Sequence, residues 1–330
     1  MNSIEAIGKS PSKIVGKPPS KNDYGIKYRL KKAGRQFWRT RYLQLLLLPG
    51  LIYFVIFQYG PMYGVQIAFR DFKLNRGILD SPWVGLMQFQ RFFDHPNFFR
   101  LFRNTILLNL QILIMVFPLP IFFALLLNEL KSLRYKRVVQ TVSYLPHFIS
   151  LPAIIGIMVM MLSPTDGIIN ILLERLGFSR IFFMAEEGWF RPLYIISESW
   201  TTIGWSAIIY IAALSGVNPE LYESAAIDGA TRWRMMFSIS LPSIAPTIII
   251  LFIMRIGNLM SLGSEKALLL QTPFNMDSSD IISTFIYRRG IQFAEHSFSA
   301  AVSVFNSAIN IVLLLMANAV SGKISDTSLI

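Results

Sequence analysis

Two ionisable side chains stand inside otherwise apolar runs: Glu198 in SESWTTIGW and Arg255 in IIILFIMRIGNLM. A charge in hydrocarbon is costly, so such residues face a cavity, a counter-charge or a polar pathway. Thr201, Thr202 and Trp205 follow Glu198 at helical spacing, Asn258 follows Arg255, and Asn306 and Asn310 lie on a later run. Hydroxyls and amides bond sugar hydroxyls, and aromatic faces cover C–H surfaces, so this set is suited to a saccharide. The guanidinium of Arg255 offers two parallel donors and does not deprotonate, which favours a carboxylate. The ligand expected on that ground is an acidic oligosaccharide such as a uronate. Two plainer readings stay open. Glu198 and Arg255 could neutralise one another, and the asparagines could hold helices together.

Bond-breaking chemistry finds little support. The chain has no cysteine, hence no thiolate metal site and no cysteine nucleophile. His95, His147 and His296 are far apart and form no H-E-x-x-H pattern; a G-x-S-x-G elbow and a G-x-x-x-x-G-K-[ST] phosphate loop are also missing. His147, beside Pro146, reads as a packing or interface residue. The expectation is a non-catalytic chain that binds no metal and no cofactor.

The elements that must position these side chains are membrane spans. Of 330 residues, 53% are hydrophobic and only 15% charged, too apolar for an ordinary soluble domain. Six runs approach the ~20 residues that cross a hydrocarbon core as helix. They are 42–69, 104–128, 138–162, 192–214, 240–262 and 298–320. Prolines inside them (Pro49, Pro61, Pro118, Pro120, Pro146, Pro152, Pro246) predict kinked, mutually packed helices. The fold class expected is therefore all-α integral membrane protein, six transmembrane helices. No repeat of fixed period is visible.

Lys and Arg set the orientation. Residues 1–41 carry eleven of them against Glu5 and Asp23, and 129–137 carries Lys131, Arg134, Lys136 and Arg137 against Glu129. Both belong in the cytoplasm, with both termini, and the N-terminal surplus suits anionic membrane lipid. The net charge of +12 is not arranged along a helix face with interleaved aromatics, so nucleic acid is not indicated. Segments 163–191 and 263–297 lack a basic surplus and belong outside. Segment 70–103 is basic, yet alternation of six spans also puts it outside. The domain reading is a disordered Lys/Pro/Ser-rich tail over 1–41 and a six-helix domain over 42–330, in which 42–69 is a retained span and not a cleaved signal peptide.

A polar insert, 218–242, separates spans four and five. Asn218 is suited to cap a helix of about 219–228, with Pro219 and Glu220 in its first turn. Gly229 is placed to end it in a left-handed conformation, and Thr231 to cap a second helix carrying Trp233, Met236 and Phe237. Leu241-Pro242 then starts span five. The small residues Ala225, Ala226, Gly229 and Ala230 share a side where another backbone could approach. The insert predicts a docking elbow.

Glu223-Ser224-Ala225-Ala226-x-Asp228-Gly229-Ala230, followed by Phe237, Ile239 and Leu241-Pro242, resembles the coupling-loop motif of permease subunits in bacterial ABC importers. Ser224 stands where alanine is usual. LPGLIYFVIFQYGPMYGVQIAFRDF, IISTFIYRRGI and FSAAVSVFNSAINIVLLLMANAVSG are similar to the carbohydrate branch that includes the maltose importer, most of all to permeases for complex oligosaccharides such as alginate. This resemblance implies the type I importer permease fold, with a cytoplasmic coupling elbow between spans four and five. It implies that Glu223, Ala225, Ala226, Asp228, Gly229, Ala230, Phe237 and Pro242 couple to an ATPase, in a cleft of a separate ATP-binding subunit. It also sets Glu198, Thr201, Thr202, Trp205, Arg255 and Asn258 at sugar-site positions. The implied partners are an ATPase dimer using ATP and Mg, a second permease subunit in a heterodimer, and an extracytoplasmic solute-binding protein contacting 163–191 and 263–297. The implied place is the cytoplasmic membrane of a bacterium. Alternatives are a permease for a neutral oligosaccharide or another small solute, and a self-contained secondary transporter, whose paired repeats the sequence does not display.

Overall fold

The computed structural model describes residues 40–324, so the expected tail over 1–41 lies, except for its last two residues, outside the described residues. The described chain is helical, with two isolated β-bridges. It divides after Gly64. The part before that point is apolar helix on every side, none of residues 41–64 being buried, as expected of a chain segment in lipid.

Three helices are long and apolar enough to cross a membrane: α1 (Arg41–Phe69), α3 (Phe98–Asn128) and the terminal helix, α14 (His296–Ile324). A short α2 (Met87–Phe93) precedes α3. Three bent pairs raise the number of spans to as many as six. These are α4 (Leu133–Phe148) with α5 (Leu151–Met161), bent by 99°; α7 (Glu187–Ser215) with α8 (Pro219–Ile227), bent by 73°; and α9 (Arg232–Ser243) with α10 (Ala245–Gly257), bent by 61°. Helix α6 (Ile168–Arg175) precedes α7, and α11 (Ser264–Leu270), α12 (Met276–Ser279) and α13 (Ile282–Tyr287) lie between α10 and α14.

Two expected spans are corrected by this. The run 138–162 is not one helix: Ile149 and Ser150 are extended, and α5 restarts with Pro152 in its first turn. Its 11 residues reach about 16 Å, half a hydrocarbon core. Nor does Leu241-Pro242 begin span five. Pro242 stays within α9, and the chain breaks at Ile244, because Pro246 has no N–H for the carbonyl of Pro242 and is tolerated only in a helix's first turn.

Prolines also explain local widening. Gly60, Phe117 and Leu241, each immediately before a proline, donate their backbone N–H five residues back, to the carbonyls of Val55, Ile112 and Met236. Each is one π-turn, Val55–Tyr59, Ile112–Val116 and Met236–Ser240, loosening the ladder where Pro61, Pro118 and Pro242 cannot donate. Pro49 sits in its helix without such a turn.

Two basic residues of 70–103 find acidic partners far along the chain. Arg91 pairs with Glu295 at 3.1 Å, and Arg100 with Asp277 and with Asp280, whose side chain also meets Arg288. Glu295 binds Arg289 as well, and Arg289 faces His95 at 3.1 Å. Burial and that guanidinium hold His95 below its ordinary value. Segments 70–103 and 263–297 therefore share one end of α3. At its other end Arg232 of α9 donates to the Glu129 carbonyl at 3.3 Å, so the 218–242 insert and the 129–137 loop share the opposite end.

Packing between α4 and α7 depends on Gly204. A Cβ there would lie 2.2 Å from the carbonyl oxygen of Ser143, the close backbone approach that small residues permit in membrane bundles. Gly204→Ala is expected to destabilise the protein by about 1–3 kcal/mol through overpacking. Gly156→Ala, with open space around it, is expected to be neutral or mildly stabilising. Thermal unfolding in detergent, followed by size-exclusion chromatography, checks both; equal melting of the two variants would contradict the close approach.

Candidate functional site

Helices α3, α7 and α10 surround a cavity of about 630 Å³, within the range of small-ligand sites. Its wall is mainly apolar, with Ile112 and Val116 from the π-turn of α3, and with Tyr210, Leu251 and Met254. The polar groups on it include Glu198, Thr202, Trp205 and Ser206 from α7 and Arg255 and Asn258 from the end of α10. Five of the eight residues expected at a ligand pathway thus meet on one wall. Thr201 does not line it; its hydroxyl returns to the carbonyls of Ser197 and Glu198. Asn306 and Asn310 do not line it either. Asn306 donates to the Met260 carbonyl at 2.9 Å, while Asn310 accepts from Met260 N–H at 2.8 Å and donates to Ser261 at 2.7 Å, tying α14 to the chain after α10.

The charges are distributed differently from a Glu198–Arg255 pair. Glu198 is bonded by Lys266 of α11, whereas among the described residues no carboxylate pairs with Arg255 and no side-chain hydrogen bond engages its guanidinium. Arg255 therefore presents free donors to the cavity, where weak solvation strengthens their pull on an anion. Thr202 is bonded back to the Glu198 carbonyl at 2.7 Å, and Asn258 donates to Met254, keeping its Oδ1 as an acceptor.

Trp205 is held by its neighbours. His147 lies parallel to it with ring centroids 4.4 Å apart, and Phe148 meets it edge-on at 5.6 Å. The indole is a fixed surface on the cavity wall, the type that covers a sugar's C–H face. His147 packs here, as its place beside Pro146 suggested, and Lys266 is the support that sequence reading did not assign. Lys266 carried a signal, a lysine at the head of an apolar KALLL run.

The second assembly is the elbow. The side chain of Asn218 accepts from Glu220 N–H at 3.1 Å, with Pro219 at the first helical position. Gly229 takes φ +76°. Gly229 N–H donates to the Ala226 carbonyl and Ala230 N–H to that of Ala225, the paired closure of a Schellman motif. The Thr231 hydroxyl accepts from Arg234 N–H, capping α9. Tyr222 and Ser240 share a hydroxyl hydrogen bond of 2.9 Å that spans the two arms. Glu223, Ala226, Asp228, Gly229, Phe237 and Pro242 are exposed, Ala225 and Ala230 half-buried. Met236 turns inward, buried against Ala124, Leu125 and Tyr210. Ile227 is 86% exposed and Trp233 63%, the latter stacked on Phe237. Apolar side chains held out on a capped polar frame form a surface made to be covered.

Known proteins resemble this chain over most of its length. Residues 98–326 match the family model described as the binding-protein-dependent transport system inner membrane component. The polygalacturonan/rhamnogalacturonan transport system permease protein YteP of Bacillus subtilis (strain 168) is 43% identical, over 87% of this chain and 90% of its own. Protein LplB of the same organism is 42% identical, over 88% and 92%. The crystal structure of a bacterial ABC transporter involved in the import of the acidic polysaccharide alginate contains a chain with a TM-score of 0.82 and 40% identity, covering 89% of this chain and 99% of that one. The same importer has been solved in complex with alginate pentasaccharide-bound periplasmic protein. An elbow after the fourth span, a cavity among the helices and a family match over most of the chain agree: this protein belongs to the binding-protein-dependent transport inner membrane components, the non-catalytic permease subunits of ABC importers.

Proposed function

We propose that the chain imports an acidic oligosaccharide across the cytoplasmic membrane of a bacterium, with the cavity at Arg255 as part of the pathway. The free guanidinium carries this reading: a half-buried cation within a span, without a protein counter-charge, is stabilised when the ligand supplies one. Trp205, Thr202 and Asn258 supply the stacking surface and polar partners that a sugar requires. Relatives named for polygalacturonan, rhamnogalacturonan and alginate, all uronate-bearing polymers, support the same class.

The elbow 218–242 docks on a separate ATPase, which holds ATP and Mg, and passes its closure to α7 and α10. Glu223, Asp228, the small residues Ala225, Ala226, Gly229 and Ala230, and Phe237 form the contact, with Pro242 ending the second arm. Residues 1–41 form a cytoplasmic basic tail and 42–330 the transmembrane domain. Both termini face the cytoplasm, an orientation supported by the Lys/Arg surplus of 1–41 and 129–137 and by the acidic partners that Arg91 and Arg100 find at the other end. A second permease subunit completes the pathway as a heterodimer, and an extracytoplasmic solute-binding protein delivers cargo at 163–191 and 263–297.

Two outcomes test this. In the assembled importer, Arg255→Gln is expected to lower uptake of a uronic oligosaccharide about 10- to 100-fold, the worth of one charged hydrogen bond, and to leave its carboxyl-reduced counterpart nearly unaffected; an equal effect on both would remove the acidic-cargo reading. Among the described residues nothing beyond its chain neighbours lies within 4 Å of a Cβ at Gly229, so substitution is resisted by the left-handed backbone, at about 1–3 kcal/mol. Gly229→Val is expected to insert and purify normally but to lose most binding-protein-stimulated ATPase activity, whereas Gly229→Asn, which tolerates positive φ, keeps it. Full coupling in the valine variant would make the elbow an ordinary loop.

A further inference from the structure

Glu198 and Arg255 line one cavity and carry opposite charges in surroundings of low polarity, where attraction is strong. Left to themselves they would neutralise each other and the cavity would offer no net charge. The structure prevents this with a third residue. Lys266 reaches from α11, its ammonium on a Glu198 carboxylate oxygen and 5.3 Å from the centre of the Tyr194 ring. Its side chain is only 8% exposed and does not line the cavity. On the same short helix Ala267 and Leu270 are fully buried among Leu108, Ile112 and Ile155, so the ammonium is fixed where Glu198 needs it. The three charges sum to one positive charge, and it resides on Arg255.

We propose that Lys266 is a specificity-determining residue of the permease: by binding Glu198 it keeps Arg255 available for a carboxylate of the cargo. It acts from behind the wall as a positioning residue and does not touch the sugar. Glu198, in turn, serves as the anchor of Lys266 more than as a cargo contact. This inference rests on the acidic-cargo reading and adds the cause of the cavity's net charge.

The assembled importer in proteoliposomes, supplied with a uronic oligosaccharide or its carboxyl-reduced neutral counterpart, tests it. Lys266→Met frees Glu198 to seek Arg255. Uronate uptake is expected to fall at least tenfold while neutral uptake changes less than threefold, and Lys266→Arg, which keeps the charge, is expected to retain uronate preference. Lys266→Met/Glu198→Gln removes the competing carboxylate and is expected to recover at least fivefold of the uronate uptake lost by Lys266→Met. Should Lys266→Met fail to assemble, Lys266→Gln keeps a donor without the charge and carries the same comparison. Equal loss of both uptakes without recovery in the double variant would reduce Lys266 to a structural tie and overturn the proposal, even if Arg255→Gln still discriminates. If Arg255→Gln affects both sugars alike, the acidic-cargo reading itself fails, and this inference with it.

Discussion

A backbone N–H or C=O in hydrocarbon has no water to bond, so every one must find a partner within the protein. Most of this architecture follows from how the chain meets that demand while carrying prolines inside its spans. Where a proline falls mid-helix, the preceding residue reaches back five positions and the ladder widens, as at Gly60, Phe117 and Leu241. Where it falls at Pro152 or Pro246, the helix stops and a new one starts with the proline in its first turn. The cavity depends on both devices. Ile112 and Val116 belong to a π-turn, and Arg255 lies in the last turn of the helix that begins after the Ile244 break.

Charge obeys a related constraint. Among the described residues, carboxylates at the far end of α3 take up two of the basic groups of 70–103 and two of their own segment: Glu295 meets Arg91 and Arg289, and Asp280 meets Arg100 and Arg288. Pairs of this kind clamp two distant segments of the chain together. Within the spans Glu198 takes Lys266, while among the described residues no carboxylate pairs with Arg255. A cation is thereby left facing the cavity, and that asymmetry gives the cavity its chemical character.

What was legible in the sequence followed the range of the interaction. Capping acts within four residues, so Asn218, Pro219, Gly229 and Thr231 announced the elbow from their spacing alone. Glu198 and Arg255 were visible because a charge in an apolar run stands out by type. The pairing of Glu198 with Lys266 was not, because 68 residues separate them and Lys266 looked like one more loop charge. The ion pairs of Arg91 and Arg100 bridge 177 residues or more, and a count of loop charges cannot register a partner so far along the chain. The corner at Ile149 and Ser150 escaped for another reason. Hydropathy averages over a window, and the residues on either side of the corner are as apolar as those of an unbroken span.

The hydrogen bond between Tyr222 and Ser240 has a mechanical meaning. Two helices joined only by a glycine turn would form a hinge, and a push on one arm would be absorbed as bending. A strut between the arms closes the figure into a triangle, which resists deformation. Pressure on the exposed rings of Trp233 and Phe237 would then turn the elbow as a single bracket and reach its two attachments, at the ends of α7 and α10, at once. Since α7 carries Glu198 and α10 carries Arg255, such a push would be felt on both charged walls of the cavity.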